Sequence, residues 1–183
     1  VENLEFEEVN YWKELTEIMD WTNTIVTSTV HICWGAQAAV YYHYGIKKRI
    51  LPKKLFGIYE HQVLNRKVPL VRGFDDVFMA PHSRHTTVDS EQIHNCEELT
   101  VLAESEEAGV FLAMAENGKK IYVMGHPEYD RMTLDGEYKR DKGKGLPIDL
   151  PFNYYPNDDD TKRPLLQWRS HANGFYSNWL NYY

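Results

Sequence analysis

Apolar residues recur along the chain at two periods, and the periods divide it into helices and strands. Val9, Trp12, Leu15, Ile18 and Met19 fall three and four apart, which predicts an amphipathic helix from about Glu8 to Asn23. Ser28 to Ile32 is a β-branched run and reads as a buried strand. Helix formers follow at once from Trp34 to Tyr44, with Gly45 as the stop. Lys54 to Glu60 reads as a strand, and Asp76 to Ala80 as a short apolar run ended by Pro81. Leu99 to Ala103, Gly109 to Ala115 and Lys120 to Met124 predict three more strands, the last two joined by a turn at Glu116-Asn117-Gly118. A polar helix is expected over Asp130 to Asp141, closed by Gly143 and Gly145. The Pro-, Asn- and Asp-rich stretch from Gly145 to Pro164 predicts a long surface loop, and Trp179 to Tyr183 a final aromatic helix. With no repeat and no linker, the pattern predicts one α/β domain over residues 1–183.

One junction in this pattern carries chemistry. Cys33 stands between the strand ending at Ile32 and the helix starting at Trp34. A sulfur there meets the free N–H groups and positive end of a helix, and both favour the nucleophilic thiolate. A nucleophilic cysteine needs a base, and the base an orienting group. His126 follows the strand Lys120 to Met124, and Glu128 lies two residues on, stiffened by Pro127, so both side chains can share one side. Taken singly, Cys33 reads about as well as a small core residue. Paired with a His-Pro-Glu segment at a second strand end, it reads as a nucleophile. Cys96, in a polar helix end, reads as a bystander.

Composition narrows the class. The net charge of −7 argues against a nucleic-acid partner held by a basic surface. No apolar run is long enough to span a bilayer, and no signal-peptide pattern opens the chain. Two cysteines argue against a disulfide scaffold and for a reducing cytoplasm. A second cluster, Arg72-Gly73-Phe74-Asp75-Asp76 with Pro81-His82-Ser83-Arg84-His85, matches no common zinc spacing, so no metal is expected. Ser83 and Arg84 are candidates for binding a small carboxylate or amine, as is Arg140. Lys53-Lys54 reads as a surface pair.

Six runs in order then resemble one family: Ile32-Cys33-Trp34, Arg72 to Asp76, Ala80 to Arg84, Gly125-His126-Pro127-Glu128-Tyr129-Asp130, Trp168 to His171, and Asn178 to Tyr183. They are similar to the homoserine O-acyltransferases of bacterial methionine biosynthesis, over essentially the whole chain. The resemblance implies a flavodoxin-like three-layer α/β sandwich, like that of the class I glutamine amidotransferases, with a strand-to-helix nucleophile elbow. It implies a ping-pong reaction with no cofactor, in which acyl-CoA is a substrate and L-homoserine the acceptor. Cys33 would carry the acyl thioester, His126 accept the proton and Glu128 support it. Lys54, Ser83 and Arg140 match substrate-binding positions, and Trp34 would give one oxyanion-hole N–H. Glu2 and Ser83 match positions that set acyl specificity; a glutamate at position 2 would repel a succinyl carboxylate, so acetyl-CoA is the expected donor. The resemblance also implies a missing N-terminal portion holding the second oxyanion donor, and a homodimer. Within the family the alternative is a homoserine O-succinyltransferase using succinyl-CoA, and two readings outside the family stand beside it. A glutaminase of the same fold would carry Gly where His31 stands, and a non-catalytic scaffold would have no need of Cys33, His126 and Glu128 together.

Overall fold

A computed structural model describes residues 2–183. Helix α1 (Trp12–Ile25) leads to β1 (Thr29–Ile32) and α2 (Trp34–Tyr44). The long hairpin β2 (Lys48–Val63) and β3 (Val77–Val88) follows, then α3 (Ser90–His94), β4 (Thr100–Ser105), β5 (Gly109–Ala115) and β6 (Lys120–Val123). Helix α4 (Thr133–Gly143) and a long loop precede α5 (Arg169–Tyr182). The strands form one sheet in the order β1-β6-β5-β4-β2-β3. Only β1 and β6 run parallel; every other neighbouring pair is antiparallel. The expected α/β layering is present, on a mixed sheet.

The layering follows from strand alternation. All of β6 is buried, as a central strand requires. Tyr122 faces a core shared with Ala36, Ala38, Ala39 and Val40 of α2 and Met19 of α1. Ile121 and Val123 face the opposite core, with Leu70, Phe78 and Phe175 of α5. The small residues of α2 bring its backbone close to the sheet, and Gly45 ends the helix in the left-handed conformation (φ 70). A third cluster, including Phe56, Ile58, Leu134, Tyr138 and Trp168, holds the hairpin against α4.

Several elements differ from the sequence pattern. The strand read at Lys54 to Glu60 is the middle of β2, and the run read as Asp76 to Ala80 continues through Pro81 to Val88. Pro81 does not end β3, because its carbonyl points away from β2 and accepts the His126 N–H at 2.8 Å. Its missing N–H therefore costs no ladder bond. Helix α4 starts at Thr133 rather than Asp130. The segment Gly145 to Pro164 is not all surface: Tyr154 and Tyr155 are buried, and Phe152 bridges in parallel to Gly57. Helix α5 begins ten residues before Trp179, at Arg169. Its polar positions hid it; buried Asn178 is satisfied by donating to the carbonyls of Leu70 (3.0 Å) and Arg72 (2.8 Å).

Candidate active site

The parallel pair β1 and β6 explains why Cys33 and His126 meet. Ile32 lies opposite Val123, so the chain leaves both strands at the same carboxyl end. Cys33 takes the turn into α2 with φ 51 and ψ −115, a conformation strained for any residue with a Cβ. The turn is gripped on both sides. The Cys33 N–H donates to Val123 O (2.7 Å), and its carbonyl accepts from the Gln37 N–H (3.0 Å). The Trp34 N–H lies in the first turn of α2, where no intrahelical carbonyl is available, so it is free to donate into the site.

His126 is fixed from its backbone outward. Besides its N–H bond to Pro81, the chain passes so close at Gly125 that a Cβ would sit 2.8 Å from the Pro81 carbonyl and the Phe111 ring. The imidazole stacks on Tyr129 with centroids 4.1 Å apart. Its Nδ1 lies 2.7 Å from Glu128 Oε1. Burial opposes a charge on the ring, but the hydrogen bonds it donates towards the Cys33 sulfur and the Glu128 carboxylate, with their charges, outweigh burial and push the pKa up to about 9. The surroundings of the ring thus favour its protonated form.

The cavity beside Cys33 has a volume of about 460 Å³, and Glu2, Trp34, Lys54, Ser83, His126 and Arg140 line it with Cys33. Glu128 stands behind His126. Lys54 falls within the register shift of β2 between Ile50 and Leu55, which re-aims it inward, so of the pair read as surface only Lys53 is exposed. Arg140 forks onto Asp141 at 2.6 and 3.0 Å, so a ligand carboxylate would compete with Asp141 for it. Glu2 accepts from the His85 N–H at 3.3 Å, and Lys48 Nζ holds the same segment by the carbonyls of Glu2 and Leu4.

The sequence missed one residue at the centre of this wall. Glu137 accepts from Ser83 Oγ (2.6 Å), Lys54 Nζ (3.2 Å) and the Tyr129 hydroxyl (3.0 Å). It lies within a polar helix, and its spacing of three from Arg140 was the signal available. Arg84 is the reverse case. Alternation along β3 turns Ser83 and His85 to the cavity and Arg84 away; it is 2% exposed and donates to the carbonyls of Thr86 and Ala108. It therefore binds no ligand here. The acidic and histidine cluster also disperses: Asp75 meets His171, Asp76 meets Arg66, and His82 pairs with buried His61. Cys96 bonds to Glu98 outside the cavity, and both cysteines are free.

Comparison with known proteins fits this geometry. A family model described as homoserine O-succinyltransferase matches residues 1–183. Homoserine O-acetyltransferases from Agathobacter rectalis, a Geobacillus species and Bacteroides fragilis are 68%, 62% and 57% identical over all 183 residues. The chain spans 59%, 61% and 60% of their respective lengths. Among solved structures, a glutamine amidotransferase from Thermotoga maritima is 18% identical with a TM-score of 0.66, covering 95% of this chain and 70% of that one. Another, from Methylobacillus flagellatus, is 11% identical with a TM-score of 0.66, covering 97% and 72%. At such identities the likeness shows a shared fold and nothing of chemistry.

Proposed function

This chain belongs to the homoserine O-succinyltransferase family, and from that premise we propose that its protein transfers an acetyl group from acetyl-CoA to the hydroxyl of L-homoserine. The observation that carries the reading is the strained Cys33 turn facing a His126 held by Glu128. The Cys33 sulfur attacks the acetyl carbonyl, and the Trp34 N–H steadies the oxyanion. A second donor, on family grounds, lies in sequence the relatives have beyond these 183 residues. The carbon–sulfur bond to CoA breaks, and the CoA thiolate takes the proton from His126. Thioester formation removes the sulfur's negative charge, and with it the hydrogen bond and attraction that held the proton on the ring. Burial is then opposed by Glu128 alone, the ring's pKa falls, and the imidazole that has given up its proton can act as a base. The homoserine hydroxyl gives its proton to His126 and its oxygen attacks the thioester, which releases O-acetylhomoserine and restores Cys33. Glu137 offers a carboxylate to the homoserine ammonium, Arg140 a guanidinium to its carboxylate, and Lys54 and Ser83 set the Glu137 rotamer.

The acetyl preference rests on Glu2. Its carboxylate lines the cavity that would have to hold the distal carboxylate of a succinyl group. Like charges in a partly closed site cost free energy, which a neutral methyl avoids. Glu2→Gly in the full-length protein is expected to raise kcat/KM for succinyl-CoA relative to acetyl-CoA by about tenfold or more. An unchanged ratio contradicts this role for Glu2. The reaction itself is tested by mixing full-length protein, acetyl-CoA and homoserine. O-Acetylhomoserine and free CoA are expected in equal amounts; ammonia released from glutamine, without acyl transfer, would favour the glutaminase reading. We further propose, on the resemblance to homoserine O-acyltransferases alone, that the reaction belongs to methionine biosynthesis in the cytoplasm and that the protein is a homodimer. Among the described residues, no helix is long and apolar enough to cross a membrane.

A further inference from the structure

A second cavity, about 1100 Å³, adjoins the Cys33 cavity and shares Lys54 and His85 with it. One wall is the middle of β2, with Leu55, Phe56 and Tyr59; the other is the segment carrying Ile148, Leu150 and Phe152. This second wall is built in place. The Phe152 N–H donates to Phe56 O (2.9 Å), and Phe152 O accepts from the Ile58 N–H (2.8 Å). Tyr59 and Phe152 stack with centroids 5.2 Å apart. Gly57 allows the approach, because a Cβ there would overlap the Phe152 backbone. Lys54 stands at the junction, its Nζ 4.1 Å from the centre of the Phe56 ring and bonded to Glu137 on the other side.

We infer that this groove holds the pantetheine arm of the acyl-CoA donor. The inference rests on the acyl-CoA reading above. The Cys33 cavity has room for an acyl group and an amino acid, while a CoA thioester carries a long arm that must leave it. Two walls of aliphatic and aromatic side chains suit a chain of methylenes, a dimethyl carbon and two amides. Charge decides which part of CoA fits. Glu107 and Asp158 line the same cavity, and the exposed Lys53 is engaged by Asp149 at 2.6 Å. The interior therefore suits the neutral arm, and the phosphates remain in solvent.

The test uses full-length protein and two donors: acetyl-CoA and acetyl-N-acetylcysteamine, which keeps the thioester and lacks most of the arm. Leu150 lies exposed on the groove wall and off the folding core, so Leu150→Trp crowds the groove while sparing the fold. KM for acetyl-CoA is expected to rise about tenfold, with KM for homoserine and kcat/KM for the short donor within about twofold of wild type. An equal effect on both donors, or on neither, overturns the assignment. Binding of free pantetheine, measured by calorimetry, separates this inference from the reaction. A wild-type protein that transfers no acetyl group yet loses pantetheine affinity about tenfold in Leu150→Trp retains the groove and refutes the activity. If wild-type protein does not bind pantetheine, or Leu150→Trp binds it equally well, the groove is refuted.

Discussion

Cys33→Ala is expected to lower acyl transfer by about 10⁴-fold or more in full-length protein, with its thermal melt little changed. The size of the effect follows from the lack of a substitute. The hydroxyls of Ser83 and Tyr129, which also line the cavity, both donate to Glu137 and not to His126. The melt should hold because alanine removes only a sulfur from a turn whose backbone is held by Val123 and Gln37. Cys33→Ser refines the result, since a hydroxyl of higher pKa on the same backbone should also lose orders of magnitude. A loss under about tenfold in Cys33→Ala, measured as kcat/KM for acetyl-CoA, would remove the sulfur from the mechanism.

His126→Gln is the second large effect, expected at about 10³-fold in kcat. Glutamine can keep a hydrogen bond to the sulfur or to Glu128 but moves no proton. The histidine itself offers a direct reading. In the free protein its NMR titration should centre near 9. In Cys33→Ala it should titrate lower, because the sulfur's hydrogen bond and charge are gone while burial remains. The same linkage sets the sign for stability. A folded pKa raised from 6.5 to about 9 contributes stability that is complete below 6.5 and lost as pH rises through 9. The difference in unfolding free energy between wild type and His126→Gln should therefore shrink over that window. A titration midpoint that does not move in Cys33→Ala would mean that sulfur and imidazole do not interact.

The proposed catalytic trio of Cys33, His126 and Glu128 could be picked out because each member follows a strand that the periodicity already marks. Cys33 and His126 end β1 and β6, and Glu128 reaches the same side two residues on. That these two strands are parallel neighbours was not legible, since pairing across the sheet leaves no mark within either segment. Pro81 hid the second half of β3 because a proline reads as a breaker unless its carbonyl is known to point off the ladder. Without β3, alternation could not be applied to Ser83, Arg84 and His85, and Arg84 was grouped with the site it faces away from. Glu137 was invisible for a different reason. A carboxylate in a polar helix looks solvated until Ser83, Lys54 and Tyr129 arrive from elsewhere in the chain to bind it. Buried Tyr154 and Tyr155 were masked by polar neighbours, though the hydroxyl of Tyr155 meets Asp135 at 2.7 Å.

The thioester on Cys33 is the central claim, and the intact mass of the full-length protein tests it most directly. Mixed with acetyl-CoA and no homoserine, the protein should gain one acetyl group, mapped to Cys33. The group should leave as O-acetylhomoserine when homoserine is added. A protein that turns over acetyl-CoA and homoserine without ever carrying that mass, or that carries it equally in Cys33→Ala, would contradict the account.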